Sequence, residues 1–444
     1  MRSISIQRTR HRLEANARRV VANPFLPTED AGLPSRVSLL LARIMDVPEA
    51  ELAALNAEVS KRFDARHRDF SKVLRRQFEL VADRIPDHAH VSSERQRFIG
   101  ACFTHEYSIE AAALFNPSIV AAPDQQGLAS GSLRFIMSLR AVGEGHVSSI
   151  EFRGGVIDAT GAMTIDAPGA RVETGRVNAP ARFGKSLLAS SNYVTAFPAD
   201  SELAERVIFP AGPNETRGME DARFVRFTES DGSVKYYATN TAYDDVAIPP
   251  QLIETQDFLQ FRVSTLNGAA AQNKGMALFP RRVDGKYVML SRRDRENLHL
   301  SVSNEMHRWD DVVELYRAQN VWEILQLGNC GSPIETEAGW LVLTHGVGPM
   351  RRYAIGALLL DLHDPRRVIG FLKTPLIEPD ESEREGYVPN VVYTCGAIVH
   401  AQQLIIPYGY SDSGIAVAQL ALSDLLELLL ESQPPRPGRA QVAA

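Results

Sequence analysis

The sequence predicts an all-β protein with an α-helical extension at its N-terminus, and two observations carry that prediction. From about Phe98 onward, short β-prone runs alternate with turns of Gly, Asp, Asn and Pro, while helical spacing is scarce until Ser423 to Leu430. Within that region the turn glycines Gly232, Gly285 and Gly339 recur 53 and 54 residues apart, each between two strand-like runs. A period of that size is one four-stranded blade of a β-propeller, and the available length holds about five. The expected divisions are a helical extension over residues 1–97, a five-bladed β-propeller over 98–431, and a frayed, Pro- and Ala-rich tail over 432–444.

In chain order, helical periodicity appears over Val37 to Ile44 and again from Glu51 to Val81, with Pro48 marking a helix start. The basic run from Lys61 through Arg76 is interleaved with acidic residues, so it reads as the solvated face of an amphipathic helix. Hairpin units follow: Phe224 to Phe227 with Val234 to Thr239, then Ala277 to Phe279 with Tyr287 to Leu290. Next comes Ser332 to Thr336 with Trp340 to Thr344 around a turn at Ala338-Gly339, and finally Val391 to Tyr393, Gly396 to Val399 and Leu404 to Tyr408. Trp340 reads as core, and Trp322, beside Glu323, as the better platform for a sugar ring.

The 444 residues, 44% of them hydrophobic, suffice for one large β domain and an appendage, and a net charge of -6 argues against a nucleic-acid partner. Three widely spaced cysteines suggest neither a zinc site nor a disulfide framework. No apolar signal segment or membrane-length run is visible, so a soluble, cytoplasmic protein is expected, with no membrane partner and a homo-oligomer left open.

Polar signatures recur at matching places in successive units. The densest is Arg217-Gly218-Met219-Glu220-Asp221-Ala222-Arg223, two adjacent carboxylates between arginines before a strand, which suits an acid in a sugar-cleaving site. Others are Tyr243-Asp244, Asn273-Lys274 with Arg292-Arg293, Thr344-His345-Gly346, and Tyr408 to Asp412. Each has an ordinary structural use: Asp244 and Asp412 can cap turns, His345 can pack inside a strand, and the arginines can be surface charge. Repetition at corresponding positions favours one shared site.

These segments, with Leu114-Phe115-Asn116-Pro117, Ser138-Leu139-Arg140-Ala141 and Gly386 to Tyr393, resemble glycoside hydrolase family 130. The resemblance spans roughly residues 110 to 420, in order. It implies a five-bladed propeller that cleaves β-mannosides of manno-oligosaccharides with inversion and without metal or organic cofactor. By position it implies Asp221 as catalytic acid, acting through a mannose hydroxyl. Glu220 becomes either a sugar ligand or a like charge that raises the proton affinity of Asp221. Asn116, Arg140 and Asp412 match sugar ligands of that family, and Lys274 and Arg292 match its phosphate-binding cations. Tyr243 and Asp244 are placed on the substrate side, Arg293 and His345 on the acceptor side. One departure stands out: Glu335 lies where phosphorylases of the family carry lysine. A carboxylate there would repel phosphate and could deprotonate water. The expectation is therefore hydrolysis with Glu335 as general base. The alternatives are phosphorolysis, with inorganic phosphate as co-substrate and α-mannose 1-phosphate as product, and a non-catalytic propeller that binds sugar or protein.

Overall fold

The structure, a computed structural model, describes residues 4–30, 32, 34–85, 90–178, 192–244 and 248–432. The expected frayed tail, beyond residue 432, lies outside them. The chain divides into two compact units: Asn16–Glu110 with Gly169–Glu173, and Met1–Ala15 with Ala111–Pro168 and Thr174–Ala444. This differs from a single cut at residue 97, because the N-terminal residues belong with the sheets.

The smaller unit contains the expected helices, Arg36–Met45, Glu49–Phe63 and Phe70–Glu79, followed by Ser93–Cys102. Ser35 caps the first by accepting from the Ser38 amide at 3.2 Å, and Pro48 occupies the N-cap of the second. Val37, Leu41 and Ile44 share one face of their helix and pack with Phe78, Ile99 and Phe103. Buried Arg95 donates to the Ile44 and Val47 carbonyls at 2.8 and 2.6 Å, closing the C-terminal end of the first helix. The basic run faces solvent as expected, paired locally as Arg62 with Glu58 and Arg75 with Glu79. Val20–Pro24 and Thr104–Ser108 form a two-stranded sheet.

The larger unit carries four sheets. Ala113–Ala121, Leu133–Val142 and Ser148–Ile157 form an antiparallel meander. A single parallel pairing, Gly218 with Ser148, joins it to the meander Gly218–Thr228, Val234–Tyr243, Pro250–Thr255 and Gln260–Thr265. Two further meanders follow, Ala277–Leu278 through Asp311–Tyr316 and Gln326–Asn329 through Val368–Phe371. The last sheet holds Val392–Tyr393, Gln403–Tyr410 and Gly414–Ala421, and is extended by the N-terminal strand Gln7–Glu14. The C-terminal helix runs Leu422–Glu431. The chain is thus a mixed fold with an N-terminal helical region and several β-sheets, not all-β throughout.

The turns follow backbone chemistry. Asp284 and Gly285 have φ of 48° and 74°, and Val283 and Lys286 exchange both hydrogen bonds across them at 3.0 Å, a two-residue hairpin. The loop expected at Ala338-Gly339 shifts by one residue. Gly339 already pairs with Thr336, leaving Glu337-Ala338 as the turn. Trp340 is fully buried, as expected, with Phe279 at a ring-centroid distance of 5.0 Å. No helix among the described residues is long and apolar enough to cross a membrane.

Candidate active site

Asp221 lies where the strand Gly218–Thr228 slips register against Val234–Tyr243, between Glu220 and Arg223. The bulge places Asp221 in the left-handed region, φ 54°, and turns its carboxyl out of the ladder. Asn116 repeats the arrangement: its strand slips between Phe115 and Ser118, and its φ is 48°. Asp412 has φ 48° in the turn between Gln403–Tyr410 and Gly414–Ala421. These three side chains converge on one cavity of about 320 Å³.

Donors surround Asp221. Its Oδ1 accepts from Asn116 Nδ2 at 2.8 Å and from an Arg140 guanidinium nitrogen at 3.2 Å, and its Oδ2 lies 3.9 Å from Arg223. Arg140 also donates to Glu220 at 2.9 Å and to Ser148 Oγ at 3.0 Å, and Lys274 donates to the other Glu220 oxygen. Gly218 permits this network. A Cβ there would sit 2.3 Å from the Ser148 amide nitrogen, and its φ is 115°. Burial would raise the pKa of Asp221, yet Arg140 and Arg223, the Asn116 hydrogen bond and Lys274 outweigh it and hold the carboxyl at about 2. Glu220 therefore does not raise the proton affinity of Asp221 as one expectation had it, because Arg140 and Lys274 take up its charge. Asp412 behaves oppositely. Burial and the facing charges of Asp221 and Glu220 raise its carboxyl to about 6 despite Arg140 and Arg351.

The opposite wall is cationic. Lys274, Arg292 and Arg351 line the cavity with His345. An Arg292 guanidinium nitrogen contacts His345 Nε2 at 3.1 Å; a guanidinium only donates, so Nε2 accepts and the ring proton rests on Nδ1. Burial first, then Arg292 and Arg223, push the His345 pKa well below its ordinary value, so the imidazole is neutral. Gly328 makes room for the ring: a Cβ there would lie 2.6 Å from an imidazole carbon. Arg292 Nε is buried without a partner among the described residues, leaving a donor directed at nothing in the protein. Arg223 is almost wholly buried; it donates to Tyr393 at 2.7 Å and to the Cys330 carbonyl at 2.8 Å.

Of the residues singled out in the sequence, Asn116, Arg140, Asp221, Lys274, Arg292, His345 and Asp412 line this cavity, and Glu220 stands behind it. Tyr243 and Asp244, at the end of Val234–Tyr243, and exposed Arg293, which donates to the Ala269 carbonyl, are not among its lining residues. Trp322 is not a platform there. Its ring packs over the backbone of Gly346 and Gly356, and its indole donates to the Lys373 carbonyl. Glu335 requires a correction. It pairs with Trp340 beside the tight turn, five residues along the strand from His345, or about 17 Å. Arg281 holds it bidentately at 2.6 and 2.8 Å, and it lines a separate cavity. A carboxylate at that end of the sheet cannot activate water at Asp221. Sequence reasoning left out Arg223, Tyr353, Tyr393 and Gln326; Arg223 could have been found as the next residue but one to Asp221, and Tyr393 ended a quoted segment, whereas nothing marked Gln326.

Carboxylates facing a row of cations at the ends of successive β-strands make up the site of a carbohydrate-active enzyme. The sequence profile of the family described as beta-1,4-mannooligosaccharide phosphorylase matches residues 198–431. A 1,2-beta-oligomannan phosphorylase of Thermoanaerobacter sp. is 34% identical over 232 residues, 49% of this chain and 74% of that protein. A beta-1,2-mannobiose phosphorylase of Listeria innocua is 31% identical over 229 residues, 50% of this chain and 63% of that one. Among solved structures, the Listeria innocua beta-1,2-mannobiose phosphorylase complex superposes with a TM-score of 0.50 at 21% identity, covering 73% of this chain and 93% of that one. A structure reported for family hydrolases that target beta-1,2 mannosidic linkages in Candida mannan gives 0.50 at 18% identity, covering 71% and 86%. The chain belongs to glycoside hydrolase family 130, and with it to the carbohydrate-active enzymes of β-mannosides.

Proposed function

We propose that this protein is an inverting phosphorylase that cleaves β-1,2-linked manno-oligosaccharides to α-mannose 1-phosphate. The observation that carries the reading is the charge of the cavity wall. Arg140, Arg223, Lys274, Arg292 and Arg351 line it against two carboxylates, Asp221 and Asp412. A surplus of fixed guanidinium and ammonium groups around a neutral imidazole suits a phosphate dianion, whose oxygens take bidentate guanidinium contacts. Water needs no such set; it needs a base, and Glu335, the base expected from the sequence, is held by Arg281 elsewhere. The names of the two relatives above support both phosphate as acceptor and the β-1,2 linkage.

In this reading Asn116, Arg140 and Asp412 hold the mannosyl unit, and Lys274, Arg292, His345 and Arg351 hold phosphate. Asp221 orients the sugar hydroxyl through which a proton reaches the leaving oxygen. Phosphate then attacks the face opposite the leaving group in one displacement, which inverts the anomeric centre. The same reading takes the antiparallel groups of the larger unit as five blades of a propeller, with the strand Gln7–Glu14 completing the last.

The reverse reaction tests it. Supplied with α-mannose 1-phosphate and mannose, the enzyme should release inorganic phosphate and form a β-1,2-linked disaccharide. Absence of both products would overturn phosphorolysis, since a hydrolase has no route to them.

A further inference from the structure

We propose that Asp412, not Asp221, holds in the resting enzyme the proton that finishes on the leaving oxygen. The proposal rests on the phosphorylase reading and concerns where that reaction stores its proton. A protonated carboxyl must donate a hydrogen bond, but the groups around Asp221 can only donate: the Asn116 amide nitrogen, Arg140, Arg223 and, more distantly, Lys274. A proton there would meet no acceptor, so Asp221 rests as a carboxylate.

Asp412 has the complementary surroundings. It lines the same cavity, and no hydrogen bond reaches its carboxyl among the described residues. The charged groups facing it are Arg140 from Leu133–Val142, Glu220 and Asp221 from Gly218–Thr228, and Arg351 from the turn after Gly339–Val347. Arg140 is already engaged by Glu220 and Asp221, so it screens Asp412 incompletely. Ser411 and Asp412 both hold left-handed backbone, φ 46° and 48°, strain of the kind found where a side chain is held for function. A carboxyl raised to about 6 beside one held at about 2 is the separation that distinguishes a proton donor from its ionised neighbour.

The step balances. An oxygen of hydrogenphosphate bonds to the anomeric carbon as the bond from that carbon to the leaving oxygen breaks, both electrons going to that oxygen. The leaving oxygen gains the Asp412 proton by way of the bound sugar's hydroxyls, leaving the Asp412 carboxylate. The new ester keeps the proton of hydrogenphosphate, and its transfer to Asp412 restores the carboxyl and yields the mannose 1-phosphate dianion.

The test is the pH dependence of β-1,2-mannobiose phosphorolysis at saturating phosphate in the wild type, Asp412→Asn and Asp412→Glu. Expected in the wild type is a kcat/KM that falls as pH rises through about 6. Asp412→Asn should lose about 10²- to 10⁴-fold in kcat with little change in KM for mannobiose, and should lose that limb. Asp412→Glu should recover much of the rate with a displaced limb. The proposal falls if the wild-type profile is level through that range, or if Asp412→Asn raises KM alone and keeps the limb. The first of these can be read even if the asparagine variant fails to fold. Wild-type enzyme making no mannose 1-phosphate at any pH would instead sink the phosphorylase reading.

Discussion

At the scale of single residues, the site separates like groups by their neighbours. Asp221 and Asp412 are both aspartates in one cavity, yet donors hold the first ionised and burial beside like charges keeps a proton on the second. Stability should record this. Unfolded, Asp412 titrates near the ordinary value of about 3.9. Its folded pKa is raised, so the native state binds the proton more tightly, and ionisation in the fold costs stability increasingly above pH about 4 and fully above about 6. Asp412→Asn should therefore melt higher than wild type at pH about 7, with the gap closing toward pH about 4. Arg292→Met should raise KM for phosphate at least about tenfold with little change in KM for the mannoside, as expected from loss of one charge-assisted contact of about 1.5–3 kcal/mol. Glu335→Gln breaks only a half-exposed pair with Arg281, and should leave kcat within about twofold and stability within about 1 kcal/mol.

At the scale of elements, the bulges at Asn116 and Asp221 do the positioning, and the contact of Gly218 with Ser148 sets where one of them sits. Gly218→Ala should cost about 1–3 kcal/mol, read in denaturant melts, and should lower activity by displacing Ser148 and with it Arg140. The strand behind Asp221 was legible because its hydrophobic run follows the charged cluster directly. The bulge was not, since register slip is decided by the pairing partner, and neither propensity nor spacing reports it. Glu335 was misread for a different reason. Family position suggested an acceptor-side residue, but the turn beside it was already visible in the sequence. A residue next to a tight turn sits at the turn end of its hairpin, whereas His345, five residues along, reaches the other end. Strand arithmetic alone would have separated them.

At the scale of the whole molecule, the recurring turn glycines revealed the hairpin units because each turn needs its own backbone chemistry. They could not reveal Gln7–Glu14. That strand is an edge rich in arginine, without hydrophobic alternation, and ion pairs from Arg8 to Asp380 and from Arg12 to Glu383 help fix it. The helices of the smaller unit were legible through their spacing and caps, and no residue of the candidate site comes from them. What the larger unit assembles, from strands far apart in sequence, is a cationic cavity around an ionised aspartate. Its acceptor is the central claim, and incubating the enzyme with β-1,2-mannobiose, with and without inorganic phosphate, tests it most directly. Mannose 1-phosphate and mannose in equal amounts, formed only when phosphate is present, is the predicted result; free mannose alone, at the same rate in both mixtures, would contradict it.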